Sequence, residues 1–192
     1  TLIIGGSQIN QALKAKLQNS TTNIFETYGM TETVSHVAMK RIENNFFEAL
    51  PNVTFNIDDR SCLVIDALEV ASSIIITNDI VDFISYKEFI WKGRYDNIIN
   101  SGGVKLSPEV IESKLHDKIQ ERFFIGSEED SLLGQKVILV IESAIDLNLS
   151  ANTFESLTKY EIPKKTYYVD EFLETATNKI NRIATLQKIK VV

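Results

Sequence analysis

The chain has 192 residues, of which 44% are hydrophobic and 24% are charged, and its formal net charge is -6. These values are typical of a folded protein of one or two domains, and they argue against a disordered chain. The 20 basic residues form no dense run. We therefore expect no nucleic-acid partner, and any phosphate that binds should belong to a small ligand.

The single cysteine and the first residues of the chain indicate in which cellular compartment the protein is expected. Cys62 is the single cysteine and lies in the apolar run CLVI, which excludes an internal disulfide and favours a buried thiol in a reducing compartment. No apolar run is long enough to cross a bilayer, and the start lacks the basic region of a signal peptide. We expect a cytoplasmic protein without a membrane span. Because the chain opens at Thr1 directly into a strand-like run, we also expect a fragment of something longer.

Residues 1–40 have the pattern of an α/β unit. The strand-like TLII is followed by Gly5, Gly6 and Ser7, and then by INQALKAKL with apolar residues at helical spacing. NIFETYG predicts a second strand that ends at Gly29, and the hydroxyl-rich MTETVS follows as a loop. In open α/β sheets, ligands collect at such strand ends.

Over residues 45–92, the sequence consists of short segments with the composition of β-strands. VTFNI, CLVIDAL, SIIIT, VDFIS and EFIWK predict antiparallel strands, and the polar ITNDIVD is expected to break the run between the third and the fourth. We interpret this part as a small antiparallel subdomain.

The remainder of the chain predicts a compact α+β domain. Ser107 and Pro108 have the pattern of an N-cap and a first helical position, and Ile111 and Leu115 share one face of that helix. RFFIG and KVILVIES predict two buried strands around an acidic turn. NTFESLTKY predicts a short helix, KTYYV a third strand and INRIATLQKIKVV a last helix.

Four stretches carry side chains that could do chemistry, and each also has a plain local explanation. YGMTET at 28–33 offers hydroxyls and a carboxylate for phosphate oxygens and Mg²⁺, or a strand-end turn that caps itself. Asp79 could hold ribose hydroxyls or close an Asx turn. Gly102 and Gly103 permit close approach by a ligand or form a hairpin turn. Lys179, in a polar loop, could enter a site as a point charge or stay in solvent.

Several chemistries lack their main element. The two histidines are distant in sequence and no cysteine pair joins them, which argues against a transition-metal site. Ser35 beside His36 has no nucleophile-elbow context. Neither GxxxxGK[ST] nor GxGxxG occurs, so a Walker ATPase, a protein kinase or a dinucleotide enzyme is not expected.

The order of the motifs is more specific than any one of them. YGMTET, TND, GRYDNIINSGGVKLSPEVIE, KYEIP and TATNKINR follow one another along nearly the whole chain. This series resembles the carboxyl-terminal portion of the adenylate-forming acyl- and aryl-CoA synthetase superfamily, whose pattern GRxDDxIxxxGxxIxPxEIE matches the third motif. Within it, the short β-rich part and MTETVSH most resemble the 2-succinylbenzoate–CoA ligases of menaquinone biosynthesis.

The resemblance implies two domains. Residues 1–95 would be the end of the large domain that binds ATP and the acid, with the α/β unit at 1–40 and the β-rich subdomain at 45–92. Residues 96–192 would be a mobile domain that carries the catalytic lysine. The main ATP- and acid-binding half, including the loop that cradles the outer phosphates, would lie upstream of Thr1, so the fragment alone should be inactive.

The resemblance also implies a role for each candidate. Gly5, Gly6 and Ser7 would line the adenine pocket, with Tyr28 stacking on the base. Thr31 would touch the α-phosphate and Glu32 would bind Mg²⁺. Asp79 and Arg94 would hold the ribose, and Asp96 would be the domain hinge. Gly102 and Gly103 would line the CoA tunnel, and Lys179 would be the catalytic lysine.

The implied reaction consumes ATP, a carboxylic acid and CoA, and it forms an acyl-AMP and then a thioester. Two departures from the family pattern stand out: TND replaces TGD, and LETATNK replaces PxTxxGK, with Asn178 for Gly. Because Asn tolerates left-handed backbone, we expect the second turn to survive. Another acyl-CoA synthetase, a peptide-synthetase adenylation domain, or a nucleotide-binding relative without catalysis remain alternatives.

Overall fold

The chain folds into two compact units, Thr1–Asp96 and Asn97–Val192. A computed structural model describes residues 1–6, 9, 11–176 and 178–190. No helix within these ranges combines the length and the apolar character needed to cross a membrane.

The first unit is built on a single sheet of eight strands. Its strands and its helix, in chain order, are β1 Leu2–Ile4, α1 Gln11–Gln18, β2 Ile24–Gly29, β3 His36–Arg41, β4 Phe47–Ala49, β5 Thr54–Ile57, β6 Cys62–Asp66, β7 Ile75–Ser85 and β8 Glu88–Arg94. The order across the sheet is β1-β2-β3-β4-β8-β7-β6-β5. Only β1 and β2 pair in parallel, as the α/β pattern predicts. The antiparallel strands predicted for 45–92 are present and continue this sheet.

The core of the first unit explains the spacing of its apolar residues. Phe89 at the centre is fully buried and packs edge-on against Phe55 and face-on against Phe47. Leu63 and Ile65 lie two positions apart on β6, so both side chains point to this cluster.

The second unit is a five-stranded sheet with helices. Its elements are β9 Ile99–Ser101, β10 Val104–Leu106, α2 Pro108–Leu115, β11 Phe123–Asp130, β12 Gly134–Glu142, β13 Lys165–Val169 and α3 Arg182–Lys190. The order is β10-β9-β12-β11, and β13 pairs in parallel with β12.

Both faces of β12 are buried over residues 137–141, which explains the continuous apolar run VILVI. Leu139 and Ile141 pack with Ile111 and Leu115 of α2, whereas Ile138 and Val140 belong to a second cluster against which α3 packs. A strand covered on both sides loses the apolar–polar alternation of a surface strand. Two of the three helices predicted for this part of the chain, α2 and α3, therefore cover this sheet.

Two sequence predictions are corrected by the backbone. ITNDIVD does not break a strand, because β7 is continuous from Ile75 to Ser85, with Asp79 in register with Arg94. The polar side chains at this point have partners inside the protein, so they do not need to turn toward water. NTFESLTKY forms only a short 3-10 turn at Ala151–Phe154 in place of the predicted helix.

The start of α2 follows the predicted pattern in its backbone. Ser107 is the N-cap in extended conformation and Pro108 is the first helical residue. The Ser107 hydroxyl donates to the carboxylate of Glu109 at 3.1 Å, and no side-chain cap to the backbone forms. The fixed φ of Pro108, which suits the first turn, thus contributes to placing the helix start.

An ion pair between Glu112 of α2 and Arg182 of α3 connects these two helices. Arg182 donates to both carboxylate oxygens of Glu112, at 2.7 and 2.9 Å, and the amide of Ile125 donates to Glu112 at 2.7 Å. Burial raises the pKa of Glu112 to about 7 in spite of these donors. Its proton therefore titrates near neutral pH.

This titration predicts a pH-dependent stability of the second unit. The folded unit holds the Glu112 proton more tightly than the unfolded chain does, so its free energy of unfolding should fall by about 2 to 3 kcal/mol as pH rises from about 5 to 8. Urea unfolding at both pH values, followed by NMR of the β11 and β12 amides, measures this difference. Glu112→Gln should remove most of it, and Glu155→Gln on the surface should leave it intact. An unchanged pH dependence in Glu112→Gln would contradict the assignment.

Candidate functional site

A turn after β2 presents two of the predicted residues to solvent. Thr31 and Glu32 are exposed at the start of a 3-10 turn, Thr31–Thr33. The side chain of Thr33 is fully buried, and its Oγ1 accepts from the amide of Met30 at 3.0 Å and lies 2.6 Å from the carbonyl of Ser35. Thr33 thus fixes the turn from inside and leaves the other two side chains available to a ligand.

This turn lines a cleft of about 430 Å³, which includes two predicted site residues, Gly6 and Thr31. The other lining residues are Thr27, Gly29, Met30, Val34, Ser35 and His36.

The glycines beside this cleft are required by close packing and by backbone conformation. A Cβ on Gly29 would meet the backbone of Ser35 and His36, and one on Gly5 would meet Oγ1 of Thr27. Gly6 has φ +97, a conformation that favours glycine, and faces open space. Ser7, also predicted for the adenine pocket, lies outside the described residues.

Asp79 is the best-connected predicted residue of the first unit. Its side chain is buried, and the Tyr28 hydroxyl donates to Oδ2 at 2.6 Å while the Trp91 indole donates to Oδ1 at 3.1 Å. Arg94 approaches Oδ1 to 3.8 Å from the solvent side. A buried carboxylate needs such partners, because an unpaired one is costly to desolvate. Asp79 does not form the Asx turn that was the alternative interpretation.

The bond from Tyr28 to Asp79 also shows that the sheet is curved. Three strands separate β2 from β7, and a flat sheet would put them about 19 Å apart at the usual strand spacing. A hydrogen bond between their side chains is possible only if the sheet curls. Tyr28 lies near the end of β2, and Asp79 is in register with Arg94 at the end of β8, so this curvature brings these three side chains together.

The Tyr28 ring is held by its aromatic neighbours. It packs edge-on against Phe89 at 5.1 Å and tilted against Phe47 at 5.8 Å. Burial, and then the negative charge of Asp79, raise the pKa of Tyr28 well above its usual value. The phenol is therefore protonated at neutral pH and acts as a donor to Asp79.

Asp96 ends the first unit in a network with the preceding arginine. It lies in a 3-10 turn, Tyr95–Asn97, and accepts from Arg94 at 3.3 Å and from the amide of Asn78. Arg94 therefore stands between two carboxylates, Asp79 and Asp96.

In the second unit, the two predicted glycines form a tight hairpin. Gly102 and Gly103 have φ +58 and +81 and connect β9 to β10, with Ser101 opposite Val104. Positive φ at both central residues is the signature of a type I′ turn. The hairpin interpretation is thus correct, and a Cβ on Gly103 would face open space.

Lys179 lies in a turn whose backbone is well held. Asn178 has φ +57, which is the left-handed conformation expected of it, and its amide donates to the carbonyl of Thr175 at 3.0 Å. The Lys179 amide donates to the Thr175 hydroxyl at 3.2 Å, and the Lys179 carbonyl accepts from the Thr175 amide at 2.8 Å. The Lys179 side chain is exposed, so backbone bonds to Thr175 hold a residue whose charged end reaches solvent.

Two contributors to the site were missed in the sequence. Trp91 donates to Asp79, and Thr77 accepts the Asp79 amide at 3.0 Å. Trp91 is the single tryptophan of the chain, and a partly buried indole N–H usually needs an acceptor, which was the available signal. Thr77 gave no signal beyond its place in the strand.

The Mg²⁺ prediction rests on Glu32. No group of three or more histidine, cysteine, aspartate or glutamate side chains within the described ranges could enclose a metal. Mg²⁺ commonly takes one or two carboxylates together with substrate phosphates and water. One exposed carboxylate beside Thr31 suits a Mg²⁺ ion of this kind.

Comparison with known proteins identifies relatives of the chain. No family model matches the chain. Benzoate–CoA ligase of Thauera aromatica is 31% identical over 103 residues, covering 49% of this chain and 20% of that protein. 2-Succinylbenzoate–CoA ligase of Lactococcus lactis is 26% identical over 205 residues, covering 94% of this chain and 45% of that protein.

A solved structure shares the fold. O-Succinylbenzoate coenzyme A synthetase of Bacillus subtilis, in complex with ATP and a magnesium ion, has a TM-score of 0.81 at 19% identity, over 96% of this chain and 46% of that one. The relatives and structural neighbours of the chain are AMP-forming acyl- and aryl-CoA ligases, which confirms the resemblance carried by its motifs. They include 2-succinylbenzoate–CoA ligases. The chain spans less than half the length of these relatives.

The Tyr28–Asp79 bond predicts a measurable stability. Tyr28→Phe removes the donor to a buried carboxylate, and the free energy of unfolding of the first unit should fall by about 1 to 3 kcal/mol. Urea unfolding followed by Trp91 fluorescence reports on this unit. Tyr86→Phe, which changes an exposed phenol, is the control and should cost less than about 0.5 kcal/mol. Equal losses in both variants would show that the bond does not stabilise the unit.

Proposed function

We propose that the chain is the carboxyl-terminal part of an ATP-dependent, AMP-forming acid–CoA ligase. The observation that carries the proposal is the meeting of Tyr28, Asp79 and Arg94 in the first unit. These residues come from three separate motifs of one resemblance, and the hydrogen bond between the first two spans 51 positions. A turn that only capped its own backbone would not bring them together.

Asp79 and Arg94 are proposed to bind the ribose. Each carboxylate oxygen of Asp79 has one strong protein donor, and an ionised carboxylate has about four acceptor sites, so sites remain for ribose hydroxyls. Arg94 is half exposed and can donate from the opposite side. Gly5, Gly6 and Ser7 would line the adenine pocket, with the Tyr28 ring beside the base.

The turn after β2 is proposed to bind the α-phosphate. The Thr31 hydroxyl would donate to a phosphate oxygen, and Glu32 would hold a Mg²⁺ ion, which when bound offsets the negative charge of the phosphates. The support is that both side chains are exposed on a turn fixed by Thr33. The chain spans under half of its relatives, so we assign the loop around the outer phosphates to residues outside these 192.

Lys179 is proposed to serve the first half-reaction. The carboxylate oxygen of the acid attacks the α-phosphorus, the bond to pyrophosphate breaks, and an acyl-AMP forms. The Lys179 ammonium would contact the acid and the α-phosphate while negative charge builds on the phosphoryl oxygens. Stabilisation of developing charge by a placed cation is often the largest catalytic contribution.

Asp96 and the glycine hairpin are proposed to serve the second half-reaction. The CoA thiol loses its proton, its sulfur attacks the acyl carbon, and AMP leaves with the electron pair of the broken carbon–oxygen bond of the mixed anhydride. Asp96, at the end of the first unit, would be the hinge of the mobile domain. Gly102 and Gly103 would line the pantetheine tunnel.

The acid is proposed to be aromatic, with 2-succinylbenzoate and a place in menaquinone biosynthesis as the specific proposal. Its support is the relative from Lactococcus lactis, which matches 94% of this chain, and benzoate–CoA ligase, which matches 49% of it. A panel of aromatic and aliphatic acids, tested with ATP and CoA in a full-length enzyme that carries this sequence, decides between acid classes.

The proposed role of Lys179 predicts that its replacement affects the two half-reactions unequally. In the full-length enzyme, Lys179→Ala should lower the rate of pyrophosphate release by about a hundredfold or more, because the charge on the phosphoryl oxygens loses its counter-charge. CoA transfer from preformed acyl-AMP should change far less. Lys188→Ala, an exposed lysine of the same unit, is the control. Equal loss in both half-reactions would overturn this role.

The proposed role of the Gly102–Gly103 hairpin predicts the opposite pattern, in which a substitution slows thioester formation and spares pyrophosphate release. Gly103→Asn adds a side chain while keeping a residue that tolerates left-handed backbone. Thioester formation from acyl-AMP should fall about tenfold or more, on the order of 1.4 kcal/mol of barrier, and pyrophosphate release should stay near its original rate. Half-reaction assays measure both. If pyrophosphate release fell first, the tunnel assignment would be wrong.

A further inference from the structure

Asn78 connects two charged groups at the end of the first unit. Its Oδ1 accepts from Arg60 at 2.8 Å, and its Nδ2 donates to both carboxylate oxygens of Asp96, at 3.3 and 3.1 Å. The motif resemblance gave this residue no role, since the family pattern has glycine at this position of TND. Asn78 is therefore a departure from the pattern that makes specific contacts.

The arginine on which Asn78 rests is itself held in place. Asp58 accepts from the Arg60 side chain at 2.7 and 2.8 Å and from the Arg60 amide at 2.8 Å. Arg60 also donates to the carbonyl of Thr77 at 3.1 Å, and its guanidinium lies 5.1 Å from the centre of the Tyr95 ring. Together, Arg60 and Asn78 hold the two residues with which the first unit ends, Tyr95 and Asp96.

The side-chain amide of Asn78 is suited to both contacts. The same group must accept from a guanidinium and donate to a carboxylate, and an amide carries one acceptor and one donor end. Glycine would make neither contact. A carboxylate at position 78 would still accept from Arg60 but would repel Asp96.

We propose that Asn78 is a positioning residue that holds Asp96 against β7 and so slows the domain rotation between the two half-reactions. We call Arg60, Asn78, Tyr95 and Asp96 the Asn78 latch. The proposal rests on the proposed function for the hinge role of Asp96. Arg94 also donates to Asp96, but it is assigned to ribose in that function, so the Asn78 contact is the one to change without touching the nucleotide site.

Hydrogen exchange of the 192-residue chain tests the latch without any substrate. Asn78→Ala and Asn78→Asp should each speed exchange in the peptide spanning residues 92–98 by about fivefold, the factor expected for one hydrogen bond at a partly exposed place. Ile76→Ala, on the same exposed face of β7, is the matched control and should leave this peptide unchanged. Peptides of β2 and β3 report whether the variants remain folded.

A double variant that swaps the amide of Asn78 and the carboxylate of Asp96 makes the test specific. Asn78→Asp combined with Asp96→Asn keeps one carboxylate and one amide in contact, with the carboxylate now accepting from Arg60, and should restore slow exchange. No effect of Asn78→Ala, an equal effect of Ile76→Ala, or no rescue by the pair would each overturn the latch.

Rates of the two half-reactions in the full-length enzyme test whether the Asn78 latch slows the domain rotation. Asn78→Ala should raise the rate of thioester formation from acyl-AMP about fivefold relative to the rate of pyrophosphate release. Faster exchange with an unchanged ratio would show that the latch does not control turnover and would overturn that half of the proposal. The Lys179→Ala assay judges the proposed function separately, so the two failures are distinguishable.

Discussion

Burying the carboxylate of Asp79 is the constraint around which the first unit is organised. An isolated buried carboxylate would be strongly destabilising, so the chain must deliver donors from elsewhere. A tyrosine from β2 and a tryptophan from β8 do so, and the tyrosine can reach only because the sheet curls. The aromatic residues of the core hold that tyrosine in turn. Core packing, sheet curvature and the buried carboxylate that we propose for ribose binding thus depend on one another.

The second unit meets a different constraint, because β12 lies in the middle of its sheet and is buried on both faces. α2 covers one face and α3 packs on the other, and the Glu112–Arg182 pair connects these two helices. A charge pair between two covering helices adds geometry that apolar contacts alone do not specify. The hairpin of Gly102 and Gly103 and the turn of Lys179 lie outside this packed centre, so their backbones could vary without disturbing the core.

The elements with clear local signals were predictable from the sequence. The Gly-Gly hairpin, the start of α2 at Pro108 and the strand pattern around Phe89 each follow from residue properties within a few positions. β7 was not, because the polar pair Asn78 and Asp79 imitates a turn locally, and the partners that keep the strand straight come from distant segments. Trp91 and the Asn78 contacts were missed for the same reason. The order of the motifs predicted the resemblance to acyl- and aryl-CoA ligases, whereas the acid is not predictable from a chain that spans less than half the length of those relatives.

The turn at Lys179 has a consequence for the entropy of the anion binding that we propose for this lysine. Its backbone is fixed by hydrogen bonds to Thr175, while the lysine side chain is exposed. A lysine side chain that becomes ordered loses about 2 kcal/mol of rotamer freedom. Any anion that captures this ammonium must offset that loss every time, whereas the turn itself needs no reordering. The entropic cost of binding at this position therefore comes from the Lys179 side chain and not from the backbone bonds to Thr175.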